Sequence, residues 1–387
     1  MRRSVLEDSR LESESKGDGC QALPTNGGNV LKIRLLKSID RFLGTVAVFF
    51  MKKPRRTPWR EPRTVLFIRP GGIGDAVLLL RAIRAVREKF PECTITVLAE
   101  KRNAAIFNLS GTVARTLFYD RLGDLVAAVR GTFDVVIDTE QWHRLSAVVA
   151  RLTGSPILIG FATNTRGKLF THPVAYCHDC YESESFLALL EPLGITRYPR
   201  LATVIEIPEK SADTAEEKLA VLAGAPFVAL FPGASIPERR WGSERFAELA
   251  RRLHERGLPV VVVGGKGDVQ TGYRIVADGV GLNLAGRTTL AESAAVIARS
   301  RLLVTGDSGL LHIAVELRVP TVSLFGPGIE KKWAPRDACH VVLNKHLSCS
   351  PCTRFGYTPR CRIGARCLQL ITVDEVEGAV SRILESL

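Results

Sequence analysis

The stretch that most constrains this chain runs from Arg301 to Pro327, RLLVTGDSGLLHIAVELRVPTVSLFGP. It reads as a buried strand (Leu302 to Thr305), a tight polar turn Gly306-Asp307-Ser308-Gly309, an apolar-faced helix (Leu310 to Leu317) and a second buried strand (Thr321 to Phe325). Short β-branched runs flanking a helix make one βαβ unit, which commits the chain to a parallel sheet. A helix that begins directly after a glycine-bracketed turn at a strand's carboxyl end presents unpaired N–H groups and a positive dipole end, both suited to a phosphate. The turn is therefore a candidate anion cradle. The plainer reading is that Asp307 or Ser308 only caps the helix.

At 387 residues and 46% hydrophobic, the chain has enough apolar mass for two α/β domains. Its formal charge of +13 is concentrated: Val30 to Arg63 holds ten Lys or Arg against Asp40 and Glu61, so 10 − 2 = +8 lies there. An acidic partner for that segment follows. No apolar run approaches the roughly 20 residues that span a bilayer, and the first residues are too polar for a signal peptide. The expected location is cytoplasmic, either soluble or on the membrane surface.

Residues 1–29, rich in Ser, Glu and Gly with no apolar period, read as a disordered tail. Residues 30–63 read as a basic amphipathic segment: Leu31, Leu35, Ile39, Phe42 and Val46 recur at helical spacing, with Arg34, Lys37 and Arg41 on another face and Lys52, Lys53, Arg55 and Arg56 following. This suits an anionic membrane surface, or a helix packed on its own domain with a solvated basic face. No recognition motif or interleaved aromatic pattern points to nucleic acid.

The first globular domain (64–205) opens with the strand Val65 to Ile68, the turn Pro70-Gly71-Gly72-Ile73-Gly74-Asp75 and a long amphipathic helix. Gly72 and Gly74 allow a close approach by a ligand or a second backbone. They do not begin a dinucleotide fingerprint, because Val77 stands where the third glycine should be. Asp75, at a helix start beyond a strand end, is placed to take a proton from an alcohol, although the helix dipole stabilises the carboxylate and makes it a modest base. A plain helix cap looks the same in sequence. Strands follow at Thr94 to Ala99, Asp134 to Asp138 and Ile157 to Phe161. The YCHDCY stretch, with Cys177 and Cys180, lacks a second matching pair and reads as a loop before a helix starting at Glu182 rather than as a metal site.

The second domain (206–372) places the strand Phe227 to Phe231 before Pro232-Gly233-Ala234-Ser235, then Arg239, Arg240 and Trp241. Adjacent guanidinium groups pair well with diphosphate oxygens, and the Trp241 ring either stacks on a base or packs the next helix start. The strand Val260 to Val263 ends in a glycine-rich loop carrying Asp268, an acid placed for sugar hydroxyls. Thr289 to Glu292 forms a capping box. These loops all fall at strand carboxyl ends, which gather in one crevice in an open α/β sheet. Cys349, Cys352, Cys361 and Cys367 form a four-thiol cluster in the loop 349–367. A reducing compartment argues against disulfides, and four thiolates suit structural zinc or an iron–sulfur cluster, although the spacing matches no firm zinc pattern. Free thiols are the alternative. The last segment, 373–387, is a helix with the stripe Val376, Val380, Ile383 and Leu384.

The GGIGDAVL opening, the PGAS-x3-RRW turn, the LAGRTTLAESAAVIARS helix, GDSGLLHIAVELRVPTVSLFGP and the KKWAP beyond it together resemble the heptosyltransferases of glycosyltransferase family 9. The resemblance covers nearly everything from Val65 to Leu387. It implies a GT-B fold, two Rossmann-like parallel-sheet domains facing a cleft, with the acceptor on the N-terminal domain and a nucleotide-sugar on the C-terminal one. It further implies an inverting, metal-independent transfer of heptose from ADP-heptose to an acidic lipid-linked saccharide, the inner core of lipopolysaccharide, at the inner face of the cytoplasmic membrane. No cofactor is implied for catalysis. Asp75 matches the family's base; Asp307, Ser308, Gly309 and His312 match its donor-phosphate loop, supported by Gly233, Ser235 and Arg240. Arg239 stands where the family commonly has Lys, and Asp268 where it has Glu, so the donor's identity stays open to another nucleotide-sugar. The last helix is expected to cross back onto the first domain. Non-catalytic readings are a nucleotide-sugar sensor or a polyanion-binding regulator.

Overall fold

In a computed structural model of the chain, residues 40–386 are described except 56, 57, 59, 197–202, 355 and 356, and the side chain at 41. The expected tail at 1–29 and the first part of the basic segment, 30–39, lie outside the described residues.

The chain builds two six-stranded parallel sheets. The first comprises β1 (Thr64–Arg69), β2 (Thr94–Ala99), β3 (Arg115–Phe118), β4 (Val135–Asp138), β5 (Ile157–Phe161) and β6 (His172–Val174). The second comprises β7 (Val228–Phe231), β8 (Val260–Val262), β9 (Gly281–Asn283), β10 (Leu302–Gly306), β11 (Thr321–Phe325) and β12 (His340–Asn344). Their orders, β3-β2-β1-β4-β5-β6 and β12-β11-β10-β7-β8-β9, are one topology used twice, with the order reversing beside the first strand of each sheet. That reversal opens a crevice beyond the carboxyl ends of β1 and β4, and of β7 and β10. β1, β5, β10 and β11 are covered on both faces, so they are buried almost throughout and mostly apolar rather than alternating.

The two sheets meet through helices. Ile73–Lys89, after β1, packs on Gly309–Glu316, after β10, and one apolar cluster runs from Val77 and Leu80 to Leu310 and Ile313. Both helices start at the crevice, so their N-termini face each other across it.

One expectation is corrected here. The last helix, Val373–Glu385, does not cross to the first domain: Val376, Val380 and Ile383 sit in the core of the second, and Arg252 of the helix Ser243–Glu255 pairs with Asp374 and Glu377 at 2.5 and 3.1 Å. Its apolar stripe is consumed by the sheet it follows. The described part of the basic segment is helical, as its apolar spacing suggests: a π-helical stretch, Asp40–Gly44, runs directly into the α-helix Thr45–Phe50, with Gly44 itself in helical geometry. The Asp40 carboxylate turns inward to accept the Arg144 and Leu145 N–H groups at 2.9 and 2.8 Å, capping the helix Arg144–Leu152.

Candidate active site

The second sheet supplies an anion-ready turn. Ser308 is the extended N-cap residue of Gly309–Glu316; its Oγ accepts the Leu311 N–H at 3.3 Å and is hydrogen-bonded to Thr305 Oγ1 at 3.0 Å. The cap satisfies one donor, and the first-turn N–H groups of Gly309 and Leu310 have no partner within the helix. Asp307, 7% exposed, pairs with Arg239 at 2.8 Å (Nη1 to Oδ2), and Arg239 Nη2 also donates to Thr353 Oγ1 at 3.4 Å. Asp307 therefore fixes a guanidinium beside the helix start. Three buried atoms here have no hydrogen-bond partner among the described residues: Arg239 Nε, His312 Nδ1 and Asp307 Oδ2, whose contact with Arg239 is an ion pair outside hydrogen-bond alignment. Unsatisfied polar atoms are rare in folded interiors and concentrate where a ligand completes them. Burial pushes the His312 imidazolium's pKa down against the pull of Asp307 and Asp75, so the ring is neutral at pH 7.

The first sheet supplies the carboxylate. The turn after β1 needs glycine at Gly71, where φ is +130°, and the helix starts at Ile73 with Gly72 as its N-cap residue. Asp75, in the first turn, is held from both sides: Oδ1 accepts from Trp333 Nε1 at 3.3 Å and Oδ2 lies 3.5 Å from Arg69 Nη2. Arg69 is fully buried, donates to the Thr139 carbonyl at 2.8 Å and stands 3.7 Å from Glu140. Burial would raise the Glu140 carboxyl's pKa, but Arg69, with His143 and Arg166, holds it below the usual range.

The two halves meet at glycines. A Cβ on Gly74 would stand 2.8 Å from the His312 ring, and one on Gly309 would stand 2.6 Å from Ile73. Gly74 thus permits the close approach of a second backbone that its sequence position suggests, here that of the other domain. Gly72 has open space around its Cα and a φ of −78°, which any residue adopts.

Other expected site residues sort by their partners. Arg240 donates from Nε and Nη2 to the Ala234 carbonyl, at 3.1 and 2.9 Å, and so shapes the turn at Gly233 and Ser235. Asp268 is half-buried, accepts the Gly265 N–H at 2.9 Å and lies where a Cβ on Gly233 would collide, tying two crevice loops together. Trp241 does not face the crevice: it is 3% exposed, packs edge-on against Phe246 and donates to the Ile371 carbonyl. Cys177 and Cys180 are joined in a disulfide, against the expectation that a reducing compartment disfavours one, whereas Cys349, Cys352, Cys361 and Cys367 are free.

Sequence reasoning missed Arg69, Lys332 and Glu182. Lys332, 3% exposed, reaches from the second domain to Glu182 of the first at 2.7 Å, lies over the Tyr176 ring and donates to the Cys177 and Cys180 carbonyls. Arg81 and Glu316, 2.7 Å apart, make a second bridge between the domains. Only the apolar character of the flanking helices was visible locally; a lysine beside a tryptophan gives no sign of a buried partner 150 residues away in the chain.

Two Rossmann-like domains facing a crevice, one presenting an anion-ready helix start and the other a carboxylate, define a glycosyltransferase of the GT-B class. The family model described as glycosyltransferase family 9 (heptosyltransferase) matches residues 123–359, and the chain belongs to that family. It is 26% identical over 287 residues to lipopolysaccharide heptosyltransferase 2 of Escherichia coli K12, covering 68% of this chain and 82% of that protein. In architecture it is similar to a family 9 glycosyl transferase of Veillonella parvula (TM-score 0.71, 21% identity, covering 84% of this chain and 98% of the other). It is also similar to the E. coli ADP-heptose lipopolysaccharide heptosyltransferase II (TM-score 0.68, 23% identity, covering 84% and 99%).

Proposed function

We propose that the enzyme transfers heptose from ADP-heptose to the inner core of lipopolysaccharide with inversion at the anomeric carbon. The observation that carries this reading is the pair of buried, unpartnered nitrogens Arg239 Nε and His312 Nδ1 beside a helix start, with Asp307 fixing the Arg239 guanidinium, a setting complementary to a diphosphate. The names of the relatives supply the sugar and the acceptor.

In the reaction an acceptor hydroxyl attacks the anomeric carbon from the face opposite the diphosphate. The new C–O bond forms as the bond to the phosphate oxygen breaks; the proton passes to Asp75 and the electron pair leaves with ADP. Arg239, the free N–H groups of Gly309 and Leu310 and the dipole behind them meet the growing negative charge, so the protein itself supplies the electrostatic stabilisation and no metal is assigned to the step. Neutral His312 offers a hydrogen bond without competing for the proton.

Calorimetric titration against ADP, UDP, GDP and CMP tests the donor. ADP is expected to bind selectively, and Arg239→Ala to weaken it on the order of 10- to 100-fold, the loss of about 1.5–3 kcal/mol that a charged hydrogen bond carries. Preference for another nucleotide would keep the enzyme class and discard ADP-heptose.

An acidic, lipid-linked acceptor calls for contact with a membrane. Phe42, Phe49 and Phe50 are 70–76% exposed on the turn and helix after Asp40, while Val48 anchors that helix to the first domain and Lys168 holds the Val48 and Phe49 carbonyls. Lys52, Lys53 and Arg55 follow at once. Large exposed aromatics beside cations fit the interface of an anionic leaflet, so the protein works on the inner face of the cytoplasmic membrane. Replacing Phe49 and Phe50 together with Ser should cut partitioning onto phosphatidylglycerol vesicles at least about tenfold, since each buried ring contributes about 1.5–3 kcal/mol. Unchanged sedimentation with vesicles would remove this surface from the reading.

A further inference from the structure

The chain from Lys345 to Ala365, between β12 and the helix Arg366–Gln369, spans 21 residues whose described members form no helix and no named strand. Its most regular feature is a bridge between Arg354 and Tyr357. Loops this long inside a compact domain are uncommon, and this one lacks the apolar residues that would build a core of its own. Something else must set its shape.

Around one small cavity of about 30 Å³ this loop brings Cys349, Cys352, Cys361 and Cys367 together with Ser350, Pro359, Ile363 and Ala365. A cavity of that size has room for a single ion. The four thiols enter from two turns. The first, at Cys349–Cys352, is pinned to β11's end by the N–H groups of Cys352 and Thr353, both donating to the Pro327 carbonyl at 3.2 and 2.9 Å. The second, at Cys361–Cys367, bends at Ala365, whose φ of +54° aims its N–H at Cys361 Sγ, 3.1 Å away. An N–H aimed at sulfur is the kind of outer contact that favours a thiolate ligand.

Pairing and charge agree. Cys349 and Cys352 have the same spacing as Cys177 and Cys180, yet only the latter pair is bridged, and all four loop thiols are free. Four thiolates around a divalent ion carry a net charge of 2 − 4 = −2. The stretch from Cys349 to Cys367 holds Arg354, Arg360, Arg362 and Arg366 and no Asp or Glu, and the one carboxylate that lines the cavity, Glu238, comes from the turn before Arg239. As the side chains stand, no set of three or more His, Cys, Asp or Glu among the described residues is close enough to hold an ion, so binding one requires the sulfurs to move inward.

We propose that Cys349, Cys352, Cys361 and Cys367 bind one zinc ion as a tetrathiolate site that shapes this loop. The site is structural, because four protein ligands leave no open position for a substrate. Its reach extends to the crevice through Thr353, next to Cys352, whose Oγ1 accepts from Arg239. The ion braces the arginine that the donor reading places on the diphosphate, and that last link rests on the donor reading.

The test measures metal in the full-length protein purified under reducing conditions, then titrates it with a mercurial thiol reagent while a chromogenic chelator reports released zinc. One zinc per chain is expected, released as the loop thiols react. Cys352→Ser and Cys361→Ser should lose it, and Cys93→Ser and Cys339→Ser should keep it. Should the loop variants fail to fold, wild-type protein exchanged into cobalt reports on the same four sulfurs through the thiolate-to-metal and d–d bands of a tetrahedral site. Metal-free protein with no such bands, a Cys349–Cys352 disulfide in the reduced preparation, or iron in place of zinc would each overturn the assignment. Stripping the zinc should also loosen ADP, and if metal is present but ADP is not bound at all, the donor reading fails while the site stands.

Discussion

Asp75→Asn is expected to lower kcat by about 10²- to 10⁴-fold, the contribution of a positioned general base, with ADP affinity unchanged. The substitution keeps the shape of the side chain, so the contact to Trp333 Nε1 has an acceptor in the amide oxygen. It removes the lone pair that takes the acceptor proton and the charge opposite Arg69. Those effects separate in the measurement. Loss of base function appears in kcat with intact nucleotide binding, whereas a disturbed crevice would appear first in ADP binding, because Gly74, His312 and the start of Gly309–Glu316 touch the same turn. A variant with kcat within a few-fold of wild type would place the base elsewhere. Glu140, the other carboxylate paired with Arg69, is buried, and Arg69 holds its pKa below the usual range, so it is a weaker base shielded from a substrate in the open crevice.

The strands at the middle of each sheet were legible and those at the edges were not. β2, β5 and β11 lie where the apolar runs Thr94 to Ala99, Ile157 to Phe161 and Thr321 to Phe325 put them. β3, β6, β9 and β12, which no apolar run announces, are the outermost strands of the two sheets. Each has a partly exposed face, so each carries a mixed sequence such as HPV or GLN that resembles a loop. The same physics governs the site. Asp75, Ser308 and Asp307 were readable because a helix start at a strand end is a local arrangement. Trp333 meets Asp75 across 258 positions, and Thr353 meets Arg239 across 114, so no spacing announces either. Trp241 was misassigned in one of its two readings because a tryptophan after two arginines looks alike whether it faces a base or a core; only the Ile371 carbonyl decides.

Lys332→Met should be the most destabilising single change at the domain contact, costing about 3–5 kcal/mol because it leaves a buried carboxylate without its cation. Glu182 is fully buried; burial pushes its pKa up, and Lys332 pulls it back. Without the lysine, Glu182 can keep only the hydrogen bonds from Gln141 and Tyr176, so the folded protein favours its protonated form and the folded-state pKa rises further. A carboxyl with a raised folded-state pKa adds no penalty below its unfolded value, near 4.3, and an increasing one as pH climbs towards the folded value. The stability gap between wild type and Lys332→Met should therefore be smallest at acid pH and widen towards neutrality, with a melting temperature lower by about 5–10 °C at pH 7. Adding Glu182→Gln removes the charge; its amide oxygen can still accept from Gln141 Nε2 and its NH2 can donate to the Tyr176 oxygen, so it should recover most of that loss. Thermal melts of the single and double variants across this pH range check the assignment. A gap independent of pH, or a double variant no more stable than the single, would mean that Lys332 holds the domains through Tyr176 and the carbonyls of Cys177 and Cys180 rather than through Glu182.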